Sequence, residues 1–143
     1  MSTKEDISGL AGNPICMFAA LAFLLIGKTT QFLQIVLALL LVYAIVIPIR
    51  YVWFKPRPKP MRWNTFLERF EANSLVSVHT ARATILAFVF SMYFGQILVG
   101  ILFAALIPLV AASRILLRKH RLEDLILGFL VGAGVSLLVL TII

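Results

Sequence analysis

The stretch Ser113–Asp124, SRILLRKHRLED, lies between two long apolar runs and places four basic residues and a histidine there. His120 and Asp124 are four residues apart, so on a helix they share one face, one turn apart. An aspartate in that position accepts a hydrogen bond from one imidazole nitrogen, fixes the tautomer and leaves the other nitrogen basic. Arg114 lies about 120° off that face in a continuous helix. We therefore expect a bend near Arg118 that brings Arg114 towards the imidazole.

This stretch alone supports two interpretations. An oriented histidine beside a guanidinium group indicates nucleophilic attack on a phosphate that the arginine holds. The alternative is a basic loop that follows the positive-inside rule of membrane proteins, in which His120 has no chemical role.

The composition is that of an integral membrane protein. Of 143 residues, 62% are hydrophobic and 13% are charged, whereas globular domains have about 25% charged residues. This length predicts a single domain, residues 1–143, with an all-α, polytopic membrane helix bundle. The net charge of +7 is concentrated at the ends of apolar runs, which suits phosphate headgroups or orientation signals better than nucleic acid. The single cysteine, Cys16, excludes an intrachain disulfide.

We predict about five membrane segments and one short interfacial helix at Trp63–Ala72. The polar tail Met1–Asn13 lacks the features of a signal peptide. The first apolar run has only twelve residues against the ~20 that a span needs, so this helix must lengthen, tilt or stop inside the fold. The apolar segments are Ile15–Ile26, Gln31–Ile49, Val78–Phe94, Ile97–Ala112 and Leu125–Ile143.

A proline-rich basic region links the second and third apolar segments. Pro56, Pro58 and Pro60 exclude a helix there and favour a stiff, extended chain. Two membrane segments separate this region from Ser113–Asp124, so both basic regions should lie at the same end of the bundle. In the last segment, Gly128 and Gly132 should let another helix approach closely.

A second histidine, His79, begins the third apolar segment. Ionisable residues in membrane segments are costly and are candidates for function. For His79 alone, a helix-end residue bonded to a headgroup or a carbonyl explains the sequence as well as catalysis does. Two histidines and several arginines that can converge on one pocket make coincidence a weaker explanation.

Three short patterns between residues 50 and 132 resemble the motifs of the type 2 phosphatidic acid phosphatases, a superfamily of membrane lipid phosphatases. The family's third motif is complete as Ser113-Arg114, His120 and Asp124, and Gly128 follows at the usual spacing. The second motif, Pro-Ser-Gly-His, reads here Val76-Ser77-Val78-His79.

The first motif of that family is Lys, six residues, Arg-Pro. Here Arg50 replaces the lysine, and Arg57-Pro58 follows after six residues. Arginine keeps the cation but changes its donor geometry. Val78 in place of glycine should narrow the approach of a phosphate to the backbone.

The resemblance implies hydrolysis of a lipid phosphate monoester or diphosphate through a phosphohistidine, without a metal or other cofactor. His120 would be the nucleophile, oriented by Asp124, and His79 the general acid and base. The phosphate would be held by Arg50, Arg57, Ser77 and Arg114, with Lys55, the Val78 backbone and Ser113 as further candidates.

The expected partner is a membrane lipid, either an isoprenoid carrier phosphate or diphosphate, phosphatidic acid, or phosphatidylglycerol phosphate. The sequence does not select among these, and it leaves the oligomeric state open. The alternative is a non-catalytic membrane protein that binds or carries phosphorylated lipids with the same arginines. The excess of Lys and Arg at the end with the site favours a cytoplasmic orientation in the cell membrane, although a phosphate site needs arginines on either side.

Overall fold

The computed structural model describes residues 12–143, and the predicted tail at residues 1–11 lies outside that range. Within this range all named secondary-structure elements are helices, which confirms the all-α class. An isolated β-bridge joins Pro56 and Asn73. The six helices are α1 (Gly12–Leu25), α2 (Thr29–Val52), α3 (Phe66–Ala72), α4 (Val78–Phe94), α5 (Ile97–Leu116) and α6 (Leu122–Ile142).

Three of the described helices, α2, α5 and α6, are long and apolar enough to cross a membrane. Helices α1 and α4 are also apolar but shorter. The five predicted apolar segments therefore all form helices, while a count of five full spans stays a prediction.

Helix α4 lies at the centre of the bundle and packs against α2, α5 and α6. The core between these helices is built of β-branched side chains such as Val46 of α2, Ile85 of α4 and Val139 of α6. Helix α5 has no buried residue along its described length. Its outer surface therefore has the apolar character expected of a helix that faces lipid.

Two glycines bring α6 against the first turns of α4. A Cβ atom on Gly128 would overlap the backbone carbonyl oxygen of Ser77, and one on Gly132 would lie 2.7 Å from the carbonyl oxygen of Ala81. The predicted close helix contact at these two glycines is thus confirmed. This contact holds Ser77, at the start of α4, against α6.

Substitution of Gly128 with alanine should destabilise the protein because the added methyl group meets backbone that cannot move independently. Overpacking of this kind costs about 1–3 kcal/mol. Gly134→Ala is the matched control, since a Cβ there meets nothing within 4 Å and alanine is the better helix former. Thermal unfolding in detergent should show a lower melting temperature for Gly128→Ala alone. Equal melting temperatures for the two variants would contradict the packing.

The predicted interfacial helix corresponds to α3, which begins at Phe66, three residues later than predicted, because Thr65 caps it. The Thr65 hydroxyl accepts from the Glu68 amide at 3.2 Å, and Glu68 Oε2 accepts from the Thr65 amide at 3.2 Å. Phe66 and Leu67 are 55% and 72% exposed, as expected for a helix that lies in the interface. The region that contains the three alternating prolines forms no helix, as predicted.

Both basic regions lie at the same end of the bundle, as predicted. The amide of Lys59 donates to the carbonyl of Arg118 at 3.0 Å, and the amide of Ser77 donates to the carbonyl of Asp124 at 2.8 Å. The predicted bend is also present, because Arg118 has a φ of 52°, the left-handed region that few non-glycine residues adopt.

Candidate active site

His120 lies in the short loop between α5 and α6, and its side chain is only 3% exposed. Its Nδ1 atom lies 2.9 Å from the backbone carbonyl oxygen of Ser74. A carbonyl oxygen can only accept a hydrogen bond, so Nδ1 carries the proton and donates it. The other ring nitrogen, Nε2, then has its lone pair available.

The predicted hydrogen bond between His120 and Asp124 is not formed in this structure. Helix α6 begins at Leu122, so His120 precedes the helix and does not share a helical face with Asp124. The Asp124 carboxylate is fully buried and bonds elsewhere. Its Oδ2 accepts from the Arg121 amide at 2.9 Å, and its Oδ1 accepts from Lys55 Nζ at 2.7 Å.

The surroundings of His120 keep its imidazole neutral. Burial lowers the pKa of His120 from 6.5 to about 3; the hydrogen bond to Ser74 works against this shift, and the charges of Arg57 and Arg50 add to it. As the pH falls, the imidazole is protonated at a higher pH in the unfolded chain than in the folded protein, so protonation favours unfolding. The contribution of His120 to stability is therefore complete above about pH 6.5 and is lost as the pH falls towards 3.

Two arginines of the predicted phosphate site carry unused donors. Within residues 12–143, the Nε atoms of Arg57 and Arg114 are buried and have no hydrogen-bond partner. Burial lowers the pKa of Arg57, the charge of Glu71 opposes this, and the nearby charge of Arg114 lowers the pKa further. An anion bound to these two nitrogens would satisfy them, and an unpaired buried polar group is otherwise costly.

Arg50 is engaged differently from the expectation. Its Nε donates to the carbonyl of Leu75 at 2.8 Å, Nη2 to Val76 at 2.8 Å and Nη1 to Phe70 at 3.1 Å. Two of these nitrogens thus hold the backbone between α3 and α4, and the third bonds a carbonyl within α3. The expected contact of Arg50 with phosphate stays a prediction, while its observed contacts make it a support for the loop that leads to His79.

The second motif forms the start of α4. Ser77 is the N-cap, and its hydroxyl accepts from the Thr80 amide at 3.4 Å and from Thr80 Oγ1 at 3.1 Å. Val78 is the first helical residue. Its amide has no acceptor within the helix, because no helical carbonyl lies four residues before it. His79 follows in the first turn and is partly buried. Contacts of Ser77 and Val78 with phosphate stay predictions; amides and the helix dipole at a helix N-terminus favour an anion.

The backbone conformation of Val76 explains why this chain lacks the proline with which the family's second motif begins. Its φ is 58°, which a proline ring, fixed near −65°, cannot adopt. A β-branched residue in this left-handed region is strained. The carbonyl of Val76 accepts from Arg50, and this bond helps hold the strained loop in place.

Two further candidates are bonded within the protein. Lys55 Nζ forms ion pairs with Glu123 at 2.6 Å and Asp124 at 2.7 Å. The hydroxyl of Ser113 donates to the carbonyl of Val110 at 2.6 Å in its own helix. Direct roles for Lys55 and Ser113 with phosphate stay predictions.

The sequence interpretation missed three residues of this region: Asn73, Ser74 and Glu123. Asn73 and Ser74 are fully buried although both are polar. Their position between a helix end and the second motif was a usable signal, because short polar side chains in such loops bond to nearby backbone groups. Nothing in the sequence indicated that Ser74 would meet a residue 46 positions away.

Among the described residues, no group of three or more His, Cys, Asp or Glu side chains is placed to hold a metal ion.

A model of the protein family described as the PAP2 superfamily matches residues 31–143. The match includes the histidines and arginines described above and leaves out α1. Searches of curated proteins and of solved structures found no significant match to the chain.

Proposed function

Because this chain belongs to the PAP2 superfamily, whose members are phosphatases, we propose that it releases phosphate from a phosphorylated membrane lipid. The observation that carries the proposal is the environment of His120. A neutral imidazole with its lone pair on Nε2 lies near arginines whose buried nitrogens have no partner among the described residues. This arrangement supplies both a nucleophile and a site for its phosphate.

In the first half of the proposed reaction, Nε2 of His120 attacks phosphorus in line with the leaving oxygen. The new N–P bond forms as the bond between phosphorus and the lipid oxygen breaks, and His79 gives a proton to that oxygen. The proton on Nδ1 of His120 stays in its hydrogen bond with the Ser74 carbonyl. The product is a phosphohistidine and a lipid without the transferred group.

In the second half, His79 takes a proton from water, and the oxygen of that water attacks phosphorus. The N–P bond breaks, inorganic phosphate leaves, and the lone pair returns to Nε2 of His120. Charge on the phosphoryl oxygens is offset by Arg57 and Arg114 and by the amides at the start of α4. Asp124 has a supporting role, since it holds Lys55 and the start of α6 beside the loop of His120.

A lipid substrate is favoured by where the site lies. Three of the described helices are able to span a membrane, and the site lies at one end of the bundle beside the exposed face of α3. A lipid can keep its tail in the bilayer and present its phosphate at this end. The candidate lipid classes are isoprenoid carrier phosphates or diphosphates, phosphatidic acid and phosphatidylglycerol phosphate.

The test is phosphate release from a panel of such lipids by the purified protein in detergent with EDTA. Activity should persist without divalent cations, because arginines supply the positive charge, and vanadate should inhibit by imitating pentacoordinate phosphorus. Activity that requires added Mg²⁺ and disappears in EDTA would contradict the metal-independent mechanism.

The non-catalytic alternative predicts a different result in that same assay. A lipid carrier would bind phosphorylated lipids through the arginines but release no phosphate. The strained Val76 and the bulky Val78, at the start of α4 where phosphate is expected, are the features that agree with the carrier alternative. The fixed tautomer of His120 favours catalysis, since a carrier needs no nucleophile.

We also propose that the site faces the cytoplasm, because the basic residues outside the site lie mainly at this end of the bundle. A cysteine in place of Lys59, in a Cys16→Ser background, can be probed in intact cells. It should resist a membrane-impermeant maleimide, and labelling would place the site on the outer face.

A further inference from the structure

Asn73 is a fully buried side chain whose amide group makes four hydrogen bonds. Its Nδ2 donates to the carbonyls of Arg50 at 2.9 Å and Trp53 at 2.6 Å. Its Oδ1 accepts from the amides of Leu75 at 2.9 Å and Lys55 at 3.3 Å. The two donors and two acceptor positions of an amide side chain are all used. Asn73 therefore ties the end of α2 and the chain after it to the loop before α4.

The bond between Asn73 and Leu75 bears directly on His120. The amide of Leu75 and the carbonyl of Ser74 belong to one planar trans peptide group, in which N–H and C=O point in opposite directions. The Leu75 amide points at Asn73 Oδ1, so the Ser74 carbonyl points away from Asn73, and there it accepts from His120 Nδ1.

Ser74 is held on its other side by Lys55. Its amide donates to the Lys55 carbonyl at 2.8 Å, and its hydroxyl donates to the same carbonyl at 3.2 Å. The Lys55 side chain is in turn paired with Glu123 and Asp124. Ser74, whose carbonyl faces His120, is thus held by Lys55, while the amide that follows it is held by Asn73.

We infer that Asn73 is a positioning residue for His120, which sets the direction of the Ser74 carbonyl and through it the imidazole tautomer. In this arrangement Asp124 does not select the tautomer, since its oxygens bond to Lys55 and to the Arg121 amide. The consequence for catalysis rests on the proposed function. The consequence for the tautomer does not, and it can be measured in the resting protein.

The direct test is nitrogen-15 NMR of histidine-labelled, full-length protein in detergent micelles near pH 7. The chain has two histidines, so a His79→Gln sample assigns both rings. In the wild type, His120 should show a protonated Nδ1 and an unprotonated Nε2. A proton on Nε2 would overturn the inference at once.

Two substitutions separate Asn73 from Asp124. Asn73→Ala should give a mixture of His120 tautomers, whereas Asp124→Asn should keep the proton on Nδ1. The inference is overturned if Asp124→Asn moves the proton or if a folded Asn73→Ala protein keeps the wild-type spectrum. Should Asn73→Ala fail to fold, Asn73→Ser replaces it. A serine hydroxyl can accept from the amide two residues on, as the asparagine does, so this variant should retain the wild-type tautomer, and a change would overturn the inference.

Kinetics provide the second readout. Asn73→Ala should lower kcat by roughly 10–10²-fold, the range for a displaced catalytic group, with little change in KM. Asn64→Ala, at an exposed asparagine outside this hydrogen-bond network, should leave both kcat and KM unchanged. An inactive wild type with the expected tautomer would contradict only the proposed function, and activity with a tautomer insensitive to Asn73 would contradict only the inference.

Discussion

Replacement of His120 with alanine should abolish phosphate release, and the loss should be the largest that any one substitution in this chain produces. The expected fall in kcat is roughly 10⁴–10⁶-fold, the range seen when a hydrolase loses its nucleophile or a catalytic partner. The reason is chemical, because His120 is the side chain that the proposed mechanism joins covalently to phosphorus. The remaining arginines and amides would still bind the lipid phosphate, so KM should change much less than kcat.

The matched variant is His120→Asn. Asparagine carries an amide nitrogen close to the position of imidazole Nδ1, so it can still donate to the Ser74 carbonyl, but it has no nucleophilic nitrogen. This variant should keep the melting temperature near that of the wild type and still be inactive. Phosphorus-31 NMR of protein denatured during turnover should show a phosphohistidine signal in the wild type alone. Near-normal phosphate release by His120→Asn would contradict the assignment of the nucleophile.

The features of the fold that were predictable from the sequence are those that local chemistry decides. Alternating prolines exclude a helix wherever they occur, which is why the region around Pro58 forms none. The spacing of Gly128 and Gly132 places both on one helix face, so a close helix contact there could be predicted without its partner. The apolar runs predicted the helices, but the observed helix ends differ from the predicted ones by a few residues, because caps such as Thr65 decide where a helix begins.

The contacts inside the site were less predictable because they depend on tertiary structure. The spacing of His120 and Asp124 indicates a shared face only if one helix contains both, and the start of α6 at Leu122 removes that condition. The motif predicted that Arg50 binds phosphate, yet its observed partners are backbone carbonyls 20 to 26 positions away in the chain. A sequence gives residue types and spacings, whereas these bonds depend on which backbone carbonyls point towards each side chain.

His79→Ala should lower turnover of a lipid phosphate by about 10²–10⁴-fold, the usual contribution of general acid–base catalysis. A lipid alkoxide is a poor leaving group, so the first half of the reaction needs the proton that His79 supplies. The second half also slows, because no base activates the water. The nucleophile His120 is intact in this variant, so the fall should be smaller than in His120→Ala.

The identity of the leaving group offers a sharper measurement for His79. A lipid-like phosphate with a p-nitrophenol leaving group needs little protonation, so its first step should survive in His79→Ala. A burst of p-nitrophenol, with phosphorus retained on His120, should then precede slow release of phosphate. The wild type, which retains the base for the second step, is the control. An equal loss in the first step on both substrates, with no burst, would mean that His79 positions the phosphate and does not transfer the proton.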